Sequence, residues 1–183
     1  MPKIVAKKED WINLGYRFFT EHGVSGIIVE KMAKTLKVNK SSFYWHFKTK
    51  NDFINELIQY WIDQETERII HTTSSKKASL EKFESHIKLI YKQDLFWDFN
   101  FFLKQYARKE KRIQKIIDDI DTRRMRYAQN LLKEMGYLEE DANIKAQVLT
   151  KHYIGHHEML RNKKQSADYL NDVKKELNQI IKY

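Results

Sequence analysis

The sequence contains no cysteine, one proline (Pro2) and only five glycines in 183 residues. Without thiols there can be no disulfide, no thiolate metal centre and no cysteine nucleophile, and the chain suits a reducing compartment. With so few residues that break helices, long helices can run uninterrupted, so an all-α protein of about nine helices is expected. No apolar run approaches the roughly 18 residues of a membrane span, and no hydrophobic signal core stands near Met1; the expected location is the cytoplasm. One further scarcity is local. Between Lys31 and Lys50 there is no acidic residue, while Lys31, Lys34, Lys37, Lys40, Lys48 and Lys50 are all basic.

Apolar residues make up 42% of the chain, with 4 Trp, 10 Tyr and 10 Phe, which is ample for a packed core and excludes a disordered polymer. The net charge of +9 is uneven. Residues 1–50 hold ten Lys/Arg against four Asp/Glu, leaving 24 against 21 for the other 133 residues. Attraction to phosphate is therefore concentrated at the N-terminal end, and binding there should weaken steeply with salt.

The stretch Val38-Asn-Lys-Ser-Ser-Phe-Tyr-Trp-His-Phe-Lys-Thr-Lys50 reads as a short helix with two unlike faces. Phe43 and Phe47 lie one turn apart with Val38 before them, so one face can be buried. Lys40, Ser41, Ser42, Tyr44, Trp45 and His46 supply a cation, hydroxyls, an indole N–H and an imidazole that no core requires; such groups suit phosphates and base edges. Upstream, Val29, Met32, Ala33 and Leu36 recur at spacings of three and four, giving a second short helix before a turn of about three residues. The pair fits a helix-turn-helix. It also fits two members of an ordinary bundle, but Ala33 at the close approach and the lysine-only charge pattern favour the former. Before them, Trp11, Ile12, Gly15, Phe18 and Phe19 mark a bracing helix from about Glu9 to His22, closed by Gly23.

This order of parts resembles the DNA-binding domain of TetR-family transcriptional regulators. The resemblance rests on Trp11-Ile-x-Leu-Gly-x-x-Phe-Phe-x-x-x-Gly23, on Val29-x-x-Met-Ala33, and on Val38-Asn-Lys-Ser-Ser-Phe-Tyr-Trp-His-Phe-x-Thr-Lys50; it is close over about the first 55 residues. It implies that Lys40, Ser41 and Ser42 meet the major groove, that Tyr44, Trp45 and His46 meet the backbone or a thymine methyl, and that Lys50 holds phosphate; Lys48, a departure from the family, is expected to add a phosphate contact of its own. The chain departs from the family pattern in three places. Ile27 and Ile28 stand where threonines usually cap the second helix and touch phosphate, Lys37 occupies a turn position often filled by glycine, and Lys48 replaces a common proline.

Beyond residue 50 the periodicity predicts helices over Asn51 to about Thr72, Ser79 to Gln93, Ile113 to Met135, about Glu139 to Arg161, and Ser166 to about Lys182. A polar loop is expected over Thr72–Lys77, and Leu80, Phe83, Ile87, Ile90 and Tyr91 are expected to point inward. The domain division is 1–50, a helix-turn-helix head, and 51–183, a helical effector-binding and dimerisation body. The aromatic run Leu95 to Tyr106 has two readings: ordinary core, or a pocket for an apolar or aromatic effector lined by Phe96, Phe99, Phe102 and Tyr106, with Tyr91, His86 and Met125 near. The family outline favours the pocket, and His152 or His156 would hydrogen-bond the effector.

Neither metal nor cofactor is expected. Asp118, Asp119 and Asp121 lack calcium-loop spacing, and His152-Tyr-Ile-Gly-His156 lacks the glutamate of a zinc hydrolase, so these histidines read as packing or interface groups. A small helical enzyme finds no nucleophile–base pair to support it. The expected function is a DNA-binding regulator, a repressor released from a near-palindromic operator by a small molecule, dimerising through residues 142–182. The alternative is a DNA-binding dimer whose body serves only dimerisation or protein docking.

Overall fold

A computed structural model describes residues 6–91, 96–160 and 166–182 of the chain; of Phe96 and Trp97 it describes the backbone alone. Among the described residues the structure is helical and without strands. The helices are α1 (Lys8–His22), α2 (Val29–Leu36), α3 (Ser41–His46), α4 (Lys50–Ile62), α5 (Arg68–Ser74), α6 (Ser79–Ile90), α7 (Phe96–Ala107), α8 (Lys111–Glu134), α9 (Glu139–Leu160) and α10 (Tyr169–Asn178). A 3-10 turn, Gly23–Gly26, follows α1, and a π-helical turn, Asp63–Glu67, joins α4 to α5. Counting that joined pair as one, the described residues form nine helices.

The chain packs as two compact units that do not follow chain order. The first comprises Met1–Glu65 and Leu95–Ile117, the second Thr66–Asp94 and Asp118–Tyr183. The core of the first unit is aromatic. Trp11 and Phe19 of α1, Phe53 and Trp61 of α4 and Phe99 of α7 are all essentially inaccessible. A Cβ on Gly15 would lie 2.3 Å from Phe53 Cζ, so α1 and α4 cross where only a hydrogen fits. Gly23 closes α1 as its position suggests, at φ +64° with its N–H bonded to the Phe19 carbonyl.

In the second unit, Phe83, Ile87 and Tyr91 of and beside α6, Leu131 and Leu132 of α8, Ala142, Ala146 and Leu149 of α9, and Val173 and Leu177 of α10 form one cluster. The alanines, one turn apart, let α9 come close to its neighbours. Gly136, at φ +96°, ends the turn after α8, where the Tyr137 N–H bonds the Leu132 carbonyl at 3.1 Å.

Three local expectations are corrected. The polar segment from Thr72 is not loop from its start: α5 continues through Ser74, and Thr73 is wholly buried. A threonine methyl packs like a small apolar group, and polarity of sequence does not reveal this. Leu80, expected inward, is 46% exposed, because the inward face of α6 starts at Phe83. The last helix is also shorter than its periodicity suggests, ending at Asn178, with Ile181 buried beyond it.

His86 lies in the second unit beside the Tyr127 ring, 5.4 Å between centroids. Burial, reinforced by the Arg124 charge, pushes its imidazole down from 6.5 to about 4. Below pH 6.5 the unfolded chain therefore accepts a proton that the folded chain refuses until about pH 4, and stability falls as pH drops through that window. The slope is at most about 1.4 kcal/mol per pH unit for this one group. Urea denaturation between pH 7 and 4 should show a stability decline that is shallower in His86→Leu than in the parent chain.

Candidate nucleic-acid interface

α3 has only six residues, too few to hold a helical shape by its own hydrogen bonds, so its placement comes from packing. Phe43 and Phe47 supply it. The Phe43 ring lies 5.3 Å from Trp11 and 5.1 Å from Phe53, both edge-on, and Phe47 lies 4.8 Å from Phe53. Edge-to-face contacts fix ring orientation as well as depth, so the helix cannot readily roll about its axis. From α2, Met32 and Ala33 are buried behind it.

The turn between the two helices is made by Lys37, at φ 57° and ψ 38°, the only non-glycine residue with positive φ among those described. Its N–H reaches the Ala33 and Lys34 carbonyls, and the Val38 N–H bonds the Ala33 carbonyl at 3.0 Å. A lysine Cβ in this region costs on the order of 1 kcal/mol. At the front of α2, Ile28 is the N-cap with no side-chain cap, as the loss of threonine there implies. Ile28 is 48% exposed, while Ile27 is buried.

With its aromatic face anchored, α3 turns the opposite face outward. Lys40, Ser41, Tyr44, Trp45, Lys48 and Lys50 are all exposed, Tyr44 by 50% and Trp45 by 78%. The other two residues singled out from the sequence lie differently. Ser42 Oγ is buried and has no hydrogen-bond partner among the described residues. His46 is half-buried, its Nε2 2.8 Å from the Ala6 carbonyl oxygen. A carbonyl only accepts, so Nε2 carries the proton and His46 ties down the lead-in before α1. Trp45 meets His46 edge-on at 4.6 Å and otherwise faces outward.

Lys50 opens α4, and Thr49 caps it. The Asp52 N–H donates to Thr49 Oγ1 at 3.1 Å, while the Thr49 N–H donates to Asp52 Oδ2 at 3.0 Å. This reciprocal cap holds the first turn of α4 in place for Lys50. Thr49-Lys-Asn-Asp52 is itself a readable capping pattern, and it is the positioning element that the residues of α3 alone do not announce. Lys40 of this surface has an acidic neighbour, Glu30 at 3.4 Å. Glu30's own backbone hydrogen bond and Lys40 together hold that carboxyl below its usual range. The surface thus presents hydroxyls, two rings and several cations to one side: donors for phosphate oxygens flanking groups able to reach base edges.

The residues expected to line an effector pocket fall in both units. Phe99, Phe102 and Tyr106 belong to the first, and Met125, His152 and His156 to the second; the Phe96 side chain lies outside those described. Phe99 is packed against rings, stacked on Tyr16 at 4.6 Å and 4.4 Å from Phe19. Phe102 lies against Gly23, where a Cβ would approach its ring to 2.8 Å. Tyr106 is half-buried, its hydroxyl pKa raised by burial and by Glu110. Met125 packs on the core of the second unit. His152 and His156 come together, with ring centroids 5.5 Å apart.

Residues 12–57 match the model of the family described as "Bacterial regulatory proteins, tetR family". Over 46 residues the chain is 35% identical to the HTH-type transcriptional regulator AcrR of Shigella flexneri, an alignment spanning 25% of this chain and about a fifth (21%) of that relative. Two solved structures share the whole fold. One is a TetR transcriptional regulator from Legionella pneumophila, with a TM-score of 0.77, 17% identity and 100% of both chains covered. The other is a putative transcriptional regulator from Saccharomonospora viridis in complex with choline, with a TM-score of 0.78, 15% identity, and 96% of this chain and 95% of that one covered.

Replacing Lys37 with glycine removes the Cβ clash at the turn. Lys37→Gly should raise unfolding free energy by less than the ~1 kcal/mol of relieved strain, read from urea denaturation, because glycine's extra unfolded-state entropy offsets part of the relief.

Proposed function

We propose that this chain, whose head is a tetR-family helix-turn-helix domain, works as a homodimeric DNA-binding transcriptional regulator in the cytoplasm and represses from a near-palindromic operator. The observation that carries the reading is the outer face of α3. A 78% exposed tryptophan beside a half-exposed tyrosine, flanked by lysines, is a costly surface to leave in water unless a partner covers it. In this reading residues 1–50 are the head that touches DNA and residues 51–183 the body. Lys40, Ser41 and Tyr44 face the groove, with Lys48 and Lys50 on phosphate.

Two heads must present their recognition helices about 34 Å apart, one turn of DNA. The surface available for pairing lies on α9. Ile144, Val148, Gly155 and Met159 follow one line along that helix, and the three apolar side chains are 52%, 37% and 74% exposed. The opposite side of α9 buries Ala142, Ala146 and Leu149. A helix apolar on both sides needs a second neighbour, and a second copy of this chain supplies it. Val148→Glu places a charge in that line and should shift the chain from dimer to monomer in sedimentation equilibrium, with helical content unchanged.

An apolar or aromatic effector would act by binding one head spacing better than the other, since a ligand with equal affinity for both shifts nothing. The reading without a small ligand is favoured by Phe99, whose ring is occupied by Tyr16 and Phe19.

Selection of bound fragments from random duplex DNA should return a two-fold-symmetric site. On that site Lys50→Ala should weaken binding about 5- to 30-fold and reduce the slope of log affinity against log salt by about one. Tyr44→Ala should weaken binding comparably with less change in slope. If both variants bind as the parent does, the assignment of this face to DNA fails.

A further inference from the structure

In the second unit, His152 and His156 of α9 meet Glu176 of α10, 24 residues further along the chain than His152. One ligating atom from each of the three lies within 4.8 Å of those of the others. His152 Nε2 is 3.1 Å and His156 Nδ1 3.8 Å from the same Glu176 carboxylate oxygen. Ligands at about 2.0–2.1 Å around a tetrahedral ion stand roughly 3.3–3.5 Å from one another, and the two observed separations bracket that span. Two neutral imidazoles and one carboxylate are a donor set for borderline first-row ions, with at least one coordination position left for water.

The remaining nitrogen of each imidazole is also engaged. Tyr91 Oη lies 2.7 Å from His152 Nδ1, and Tyr169 Oη lies 3.1 Å from His156 Nε2. A histidine that binds a metal through one nitrogen carries its proton on the other and donates it to an oxygen, which fixes the ring and raises its basicity. Both tyrosine hydroxyls stand where that acceptor is required. For His152 the change is a tautomer shift: Nε2 now donates to Glu176, and loading would move the proton to Nδ1 while the Tyr91 hydroxyl rotates from donor to acceptor. Burial suits the same role. The two imidazoles are 20% and 16% exposed and the carboxylate 54%, leaving an open approach on the Glu176 side.

We propose that His152, His156 and Glu176 form a binding site for one divalent first-row transition ion of the Zn²⁺ class, joining α9 to α10. The inference stands independently of the DNA-binding reading. Without an ion, the same groups make a hydrogen bond and a close imidazole–carboxylate approach between two helices, so the fold does not require the metal. With one, a coordinate link joins the helix that carries the Ile144–Met159 line to the last helix of the chain.

The test uses the full, tag-free chain after treatment with a chelator. Titration with Co²⁺ should give visible d–d absorption of tetrahedral or five-coordinate strength, saturating at one equivalent per chain, and Zn²⁺ should bleach it. Thermal melting should rise with added Zn²⁺. Glu176→Gln, at a half-exposed position where the amide keeps the helix contact, should weaken Co²⁺ and Zn²⁺ binding at least tenfold and abolish the Zn²⁺-dependent rise in melting temperature. His156→Ala should do the same, and His71→Ala, elsewhere on the surface, should bind as the parent does. Absence of stoichiometric binding by the parent chain overturns the proposal, as does Glu176→Gln binding with parental affinity.

Discussion

The anchoring of Phe43 between Trp11 and Phe53 is the contact on which the N-terminal unit turns. A six-residue helix has no stability of its own, so the direction of its outer face is decided by where its inner face is held. Three rings packed edge-on define both how deep α3 sits and how it is rotated. Gly15 lets α4 approach α1 closely enough to bring Phe53 there, and the Thr49–Asp52 cap starts α4 at the residue where Lys50 is needed. Exposure of Tyr44 and Trp45 follows from these constraints and not from any contact of their own.

The second unit is organised by a different device. α9 carries small residues on its buried side, which bring α6, α8 and α10 close, and larger apolar residues on its outer side. Within the same helix, the turns carrying His152 and His156 exchange apolar packing for polar links to Tyr91, Tyr169 and Glu176. One helix thus supplies core, an uncovered apolar line and a polar cluster, separated only by angle and height along its axis. His157, on the neighbouring face, donates to the Ile90 carbonyl at 3.2 Å and stays neutral, its pKa pushed down to about 3 by burial.

The helices were legible from the sequence because periodicity and breakers act locally. α1, α2, α8 and α9 begin and end within a few residues of where apolar spacing, Gly23 and Gly136 place them. The helix α3 was legible as two faces, since Phe43 and Phe47 could not share a side with Tyr44 and Trp45. Less was legible where a side chain's neighbour is distant in sequence. Ser42 and Tyr44 look equally available on a helical wheel, yet Ser42 Oγ is buried and Tyr44 is half-exposed. His46 reads as a polar surface group until the Ala6 carbonyl, 40 residues away, accepts a hydrogen bond from its Nε2. The aromatic run reads as either core or pocket, and the rings packed on Phe99, those of Tyr16, Phe19 and Trp61, come from other segments of the chain.

By itself the sequence determined that the chain is helical, where most helices stop, and that positive charge gathers toward the N-terminus beside an aromatic, acid-free stretch. These are consequences of backbone preference and of a 3.6-residue period, which need no partner. Tertiary structure alone decided that Lys37 takes a left-handed turn at some cost, that Thr73 is interior while Leu80 is not, and that His152 and His156 share Glu176. Each of these depends on which segment arrives from elsewhere in the chain, and arrival is settled by packing, which a one-dimensional pattern does not encode.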